Sequence, residues 1–314
     1  MPQPTAGDVH VNAALTNISV AYIQSAEGFV ADKVFPIVPV DQQSNFYYSY
    51  TQNDWFRDEA KPRAPGAESA GGGFTLTTAS YAAVVEAWHE DVADQIRSNS
   101  DAMINLDASA TELVTQRIMI RRERRWMTQF FGTGIWGTDA TPSNLWDTAT
   151  GDPVADVDTA KATIAGNTGM VPNTMVVSYP VFLKLRNNVR VRDQFKYTSA
   201  DSINEAMLAR LFDVQRFLVA KAVYASNKEG ATSAYAFMAG KHALVCYVPP
   251  APGLLVPSAG YIFAWSGYVG SKNGMRVKRF RLEDKASDRV EGEMAYDMKK
   301  VASNLGYFLN GVMS

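Results

Sequence analysis

The chain has 314 residues and a mass of 34.4 kDa, enough to bury one large core or two smaller ones. With 30 basic against 32 acidic residues, its formal charge of -2 and pI near 6.0 exclude a molecule that binds nucleic acid through its overall field, so any basic function must be local. The one cysteine, Cys246, excludes an intrachain disulfide, and no apolar run approaches the roughly 18–20 residues of a membrane span.

The amino terminus, MPQPTAGDVH, lacks the basic and apolar regions of a signal peptide, which points to a cytoplasmic protein. Residues 1 to about 40 end in VADKVFPIVPV, where two prolines among β-branched residues favour an extended arm laid on something else. Two aromatic and threonine-rich runs follow, NFYYSYTQNDWF and FTLTTASYAAVVEAW, both strand-like. Between them lies RDEAKPRAPGAESAGGG, whose prolines, glycines and charges cannot form a core. The expectation is a long two-stranded hairpin over 44–80 with a solvated tip, and such a hairpin is marginal in water unless it rests on a partner.

A helix is expected from about Asp107 to Phe131, roughly 37 Å long, with Asp107 as N-cap and Gly132 just past its end. Arg117, Arg121, Arg122, Arg124 and Arg125 fall in one arc of roughly 160°, while Met119, Ile120, Trp126, Met127, Phe130 and Phe131 fill most of the other. Glu123 projects from the apolar side, so it needs a cationic or hydrogen-bonding partner, whereas Arg122 lies at the stripe's edge and is expected to matter little. Composition alone leaves the stripe open between a solvated face, a protein interface and a nucleic-acid contact.

After the helix, GTGIWG at 132–137 matches G-x-G-x-x-G literally, with Asp156 and Asp158 at about the distance of a ribose-binding acid. The context is wrong for a dinucleotide site, because that fingerprint follows a strand and opens a helix, whereas this one follows a helix and enters a loop. His10, His89 and His242 lie far apart, and none has metal-ligand spacing. The sequence therefore offers no catalytic residue, no metal site and no cofactor.

Residues 153–257 read as a separate α/β unit. NTMVVS is a short strand ended by Ser178, the expected N-cap of the helix YPVFLKLRNNV, and Ser202 with Glu205 has capping-box spacing for a second helix. RFLVAKAVY and HALVCYV are strand-like, as are AGYIFAWSGYVG, MRVKRFRLE and MAYDMKKVASNLGYFLNGV beyond 257. Those last runs should return to the part holding the long helix, which makes the α/β unit an insertion.

In this order, VADKVFPIVPV, DWFRDEAKPRAPGAESAGGGFTL, ATELVTQRIMIRRERRW, PNTMVVSYPVFLKL, DQFKYT, LFDV, AGYIFAWSGYVG and DRVEGEMAYDMKKVASNLGYF resemble runs of the major capsid proteins of tailed bacteriophages, over almost the whole chain. The resemblance implies an α+β chain with the Hong Kong 97-type capsid fold. Its parts would be an N-terminal arm (1–43), an extended β-hairpin or E-loop (44–80), a peripheral domain on a long spine helix (81–152 and 258–314), and an inserted axial α/β domain (153–257). It implies a structural protein, not an enzyme, that self-assembles as pentamers and hexamers into an icosahedral head around a double-stranded DNA genome in the host bacterial cytoplasm. The implied partners are further copies of itself, packaged DNA by non-specific contact, and separate scaffolding, portal and decoration proteins. A separate scaffold is expected because the arm-like sequence starts almost at Met1.

In such shells the spine helix lies under a neighbour's arm or hairpin. The resemblance therefore makes Arg117, Arg121, Arg124 and Arg125 candidates for an interface with Asp58, Glu59, Lys61, Arg63 and Glu68 near the hairpin tip, with Asp54 as a further acid. The phage that names the fold joins a hairpin lysine to a neighbour's asparagine. Here Lys61 is the only lysine between Asp41 and Ser80, and Asn304 and Asn310 are possible acyl partners. Nothing around Lys61 would deprotonate it, so no cross-link is expected. The runner-up keeps the fold but changes the contents: an encapsulin-type nanocompartment shell. An α/β enzyme using GTGIWG is a third reading.

Overall fold

The computed structural model describes residues 23–50, 52–100, 105–196, 203–253 and 255–314. In chain order, helix α1 (Ala31–Val34) leads into strand β1 (Ile37–Val40), and β2 (Ser44–Tyr50) is followed by the single turn α2 (Gln52–Trp55). Then come β3 (Leu76–Ala82), β4 (Val84–Ala93), α3 (Asp94–Ser98) and the 25-residue helix α4 (Leu106–Phe130). After β5 (Thr138–Ala140) the chain forms α5 (Pro153–Thr168), β6 (Thr174–Ser178), α6 (Tyr179–Asn187), α7 (Val189–Phe195), α8 (Glu205–Leu211), β7 (Arg216–Ala220), β8 (Val223–Ala225), β9 (Tyr235–Phe237) and β10 (Ala243–Cys246). It ends with β11 (Gly260–Trp265), α9 (Ser266–Val269), β12 (Met275–Leu282), β13 (Ser287–Lys300) and β14 (Gly306–Leu309).

Two five-stranded sheets organise these elements. In the first, the 14-residue β13 pairs antiparallel with β12 and then β11 along one edge and with β4 along the other, and β1 adds parallel to β11. The second has the order β5-β14-β10-β6-β7 and is buried throughout β6, β10 and β14, whose apolar runs need no alternation. β14 comes from the stretch expected to lie wholly with the long helix, yet it hydrogen-bonds into this second sheet, between β5 and β10. The hairpin β2–β3 pairs from Ser44↔Ala82 to Tyr50↔Leu76, and β8–β9 form a second small ribbon.

Helix α4 lies across β13 and β4. Ala110, Val114, Ile118, Arg122, Trp126 and Phe130 are all buried, a row spaced by four residues that tracks one ridge of the helix. A Cβ at Gly292 of β13 would stand 2.2 Å from Ile118 Cδ1 and 2.5 Å from Val114 Cγ1, so this glycine is the slot into which the helix settles. The helix start differs from expectation. Asn105 Oδ1, not Asp107, accepts the Ala108 N–H at 3.0 Å, because Asp107 already lies in the first turn, where it pairs with Arg97 at 2.8 Å and Arg279 at 2.9 Å. At the other end Phe131 is the C-cap, and the left-handed residue is Gly134 (φ 76) rather than Gly132.

Among the caps of the second unit, Ser178 Oγ accepts the Val181 N–H at 3.4 Å as expected. For α8 the cap is Asn204, which accepts from Met207 at 2.9 Å; the expected Ser202 lies outside the described residues. Part of the expected N-terminal arm also reads differently. Phe29, Val30, Ala31, Val34 and Phe35 are buried in the chain's own core, and Phe35 packs on Trp126, Phe130 and Trp136 with ring centroids 5.8, 4.8 and 6.3 Å away. These large apolar side chains pack against the chain itself, so 29–35 is core while 37–40 is the extended strand expected.

Candidate interaction surface

The hairpin is anchored at its base and bare beyond it. Tyr81 and Tyr47 stack on Phe263 at 4.6 and 5.3 Å, and Asp297 Oδ2 accepts the Ala82 N–H at 3.0 Å, tying the base to the first sheet. Strand alternation then puts Phe46, Tyr48 and Tyr50 on one face, joined by Leu76 opposite Tyr50. All four remain open to solvent, Phe46 and Tyr48 by 69% and 62%. Tyr50, Trp55 and Phe74 form an aromatic cluster beside them, with centroids 5.8–6.2 Å apart, and Trp55 and Phe74 are also more than half exposed. An apolar face of this extent is of the kind that interaction surfaces present.

The tip from 57 to 75 is exposed throughout. Asp54 Oδ2 accepts the Thr75 N–H at 2.7 Å and closes its neck, Arg57 meets Glu59 at 3.4 Å, and Arg63 donates to the Ala67 carbonyl. None of the contacts within the described chain brings Asp58, Glu59, Lys61, Arg63 or Glu68 to a spine arginine.

The arginine stripe sorts into two kinds. Arg122, expected to be weakly engaged at the stripe's edge, is 8% exposed and bonded to Asp32 at 2.8 Å, because α1 packs onto that side of the helix. Arg125 is likewise drawn inward, against the expectation that it faces a neighbour: its side chain is 15% exposed, lies 5.0 Å over the Tyr296 ring, and reaches Asp297 at 3.5 Å and Glu86 at 3.8 Å. Glu86 is the hub of this group, also accepting from Arg121 at 2.9 Å and from Tyr296 Oη at 2.9 Å. Burial, with Glu86 second, raises the Tyr296 phenol well above its usual range, so it stays a donor. Arg117, Arg121 and Arg124 remain exposed. Arg117 lies 5.6 Å over Trp88 and Arg124 4.4 Å over Tyr224, contacts that leave guanidinium edges free to bond outward.

Glu123 has the hydrogen-bonding partners its position demands, though they are not side chains. It is 1% exposed, and its two oxygens accept the Val30 and Ala31 N–H groups at 3.0 and 2.9 Å. This signal was legible only as a carboxylate in an apolar arc.

GTGIWG does not form an anion cradle. It turns the chain from α4 into β5, with Trp136 buried and donating to the Phe130 carbonyl at 2.8 Å. His242 accepts the Gly311 N–H at 3.0 Å, and burial depresses its pKa, which keeps it neutral. Among the described residues no group of His, Cys, Asp and Glu could hold a metal, and no helix is long and apolar enough to cross a membrane.

No protein-family model matches the chain. The major capsid protein of the Burkholderia phage BcepMu is 23% identical over 311 residues, covering 96% of each chain. Among solved structures, a phage-related protein of Bordetella bronchiseptica superposes with a TM-score of 0.70 at 22% identity, over 92% of this chain and 93% of that one. The mature capsid subunit of bacteriophage PhiM1 gives 0.61 at 11% identity, over 96% and 92%. A virus-like particle from Pyrococcus furiosus shares the fold at 0.54 and 10% identity, over 93% and 100%. A pair of five-stranded sheets, a 25-residue helix seated on one of them and a bare aromatic hairpin therefore coincide with end-to-end likeness to capsid subunits: the chain has the Hong Kong 97-type capsid fold.

Proposed function

We propose that the chain self-assembles as pentamers and hexamers into an icosahedral head that encloses a double-stranded DNA phage genome. The observation that carries this reading is the hairpin's exposed face of Phe46, Tyr48, Tyr50 and Leu76, an apolar surface that its own subunit leaves uncovered. On a neighbour, that face and the charged tip with Asp58, Glu59, Lys61, Arg63 and Glu68 would cover a body carrying Arg117, Arg121 and Arg124. The hydrophobic strand face would supply affinity and the charges register. In this reading 1–43, apart from its core segment 29–35, is an arm, 44–80 the E-loop, 81–152 with 258–314 the peripheral domain except that β14 joins the other sheet, and 153–257 the axial domain. Scaffolding, portal and decoration proteins would be separate chains, and assembly would take place in the host bacterial cytoplasm.

A nanocompartment shell is the second reading, favoured by the fold shared with the Pyrococcus particle. Contents distinguish the two. Electron micrographs of the protein purified from producing cells should show closed shells, and shells from an infected or induced lysate should carry nuclease-resistant double-stranded DNA. A cargo enzyme in place of DNA would favour the second reading, and a stable monomer under every scaffold and salt condition would overturn both.

A further inference from the structure

Residues 24–40 form a strap across the molecule. Gln24 brackets Val223 of β8, with Nε2 donating to its carbonyl at 2.8 Å and Oε1 accepting its N–H at 3.0 Å. Gly28 accepts from Lys221 at 3.3 Å, Arg216 of β7 donates to the Lys33 carbonyl at 3.1 Å, and β1 completes the first sheet beside β11. The strap thus touches both sheets, and at its centre stands Glu123 of α4.

That carboxylate is buried without a cation of its own. The guanidinium that acts on it, Arg122, is bonded to Asp32 of α1, so the two form a neutral pair beside it. Among the strap's other charges, Lys33 donates to the Glu27 carbonyl, and Arg216 of β7 is engaged with the Lys33 carbonyl. Two N–H groups at the start of α1, with a weaker pull from Arg122, offset the burial of the charge. When the strap is lifted, water reaches Glu123 and the carboxylate is stable; when it is seated, the neutral acid has the smaller desolvation cost.

We propose that seating of the strap is linked to uptake of one proton by Glu123, so that the strap binds its own subunit more tightly as the pH falls. Burial pushes the Glu123 pKa up to about 7 from 4.5, against the pull of the Val30 and Ala31 N–H groups and of Arg122 and with the push of Asp32. The sign follows from proton counting. The seated state binds more protons than the lifted one between about pH 4.5 and 7, so the added stability is complete below 4.5 and is lost as the pH rises through 7.

The test is hydrogen exchange followed by mass spectrometry on the full chain, with protection corrected for intrinsic exchange. Between pH 8.5 and 5.5, protection of peptides within 25–40 should rise about 30-fold, the factor that pKa values of 7 and 4.5 give for one linked proton, while peptides from the centre of β13 stay level. Glu123→Gln should flatten the profile. Asp32→Asn, which removes a like charge and frees Arg122, should move the midpoint to lower pH even if the glutamine variant folds poorly. Strap protection that is flat or falls on acidification overturns the proposal, as does an unchanged slope in Glu123→Gln or an unmoved midpoint in Asp32→Asn.

Discussion

Substituting Gly292→Ala tests how the spine helix is held. The added methyl would lie 2.2 Å from Ile118 Cδ1 and 2.5 Å from Val114 Cγ1, far inside van der Waals contact, and those side chains are 4% and 0% exposed, with no space to retreat into. Overpacking of this kind costs about 1–3 kcal/mol. Replacing glycine by alanine also removes unfolded-state freedom, worth about 0.4–1 kcal/mol in the opposite direction where the backbone tolerates it. Gly292 has no left-handed φ, so that gain applies, and the net expectation is a loss of about 1–2 kcal/mol. Urea unfolding of the subunit, followed by tryptophan fluorescence through Trp88 and Trp126, measures it. Ile118→Val deletes the nearer clashing carbon at a cost of about 0.5–1.5 kcal/mol on its own. The double variant should be more stable than the sum of the two losses predicts, by about 0.5 kcal/mol or more, since Val114 still crowds the site. Strict additivity, or an unchanged unfolding midpoint for Gly292→Ala, would refute the slot.

Three further outcomes are expected. Replacing 58–73 by a short turn should leave a folded subunit, because the tip is exposed throughout, but should abolish shells; normal shells on micrographs would make the hairpin decoration. Arg122→Gln should cost about 1–3 kcal/mol in the same unfolding assay because the buried Arg122 loses its bond to Asp32, whereas Arg117→Gln, over the ring of Trp88, should cost under about 1 kcal/mol. Particles boiled in detergent and reductant should run as one band near 34.4 kDa, since Lys61 is exposed with no pocket built around it; a ladder abolished by Lys61→Arg would show a cross-link.

The sequence carried the long helix to within a residue at each end, because its apolar row repeats every four positions over several turns. It carried the hairpin because glycine and proline exclude any other state for 57–73. It misjudged residues 29–35, where the prolines spoke for extension while the phenylalanines, which cannot be assigned a partner without the third dimension, belong to the core. The arginine stripe shows the same limit. Helical angle groups five cations on one arc, but which of them turn inward depends on Asp32, Glu86 and Asp297, brought from sites as far as residue 297. The bare aromatic face of the hairpin was encoded in the alternation Phe46, Tyr48, Tyr50, yet alternation alone does not say which side of a strand is left open.

The placement of β13 and β14 bears on when the subunit can fold. β13 is the central strand of the first sheet, and its first partner, β4, ends at Ala93; β14 sits inside the second sheet, next to β5, which ends at Ala140. Both sheets therefore close only through contacts that span well over a hundred residues, the kind that form slowly. At a synthesis rate of about 5–20 residues per second, β4 and β5 wait on the order of ten seconds or more for their partners. During that interval the hairpin's neighbours in the first sheet are missing, and the surface that α4 will occupy does not exist. A nascent chain thus lacks both finished sheets until the residues up to Leu309 have left the ribosome.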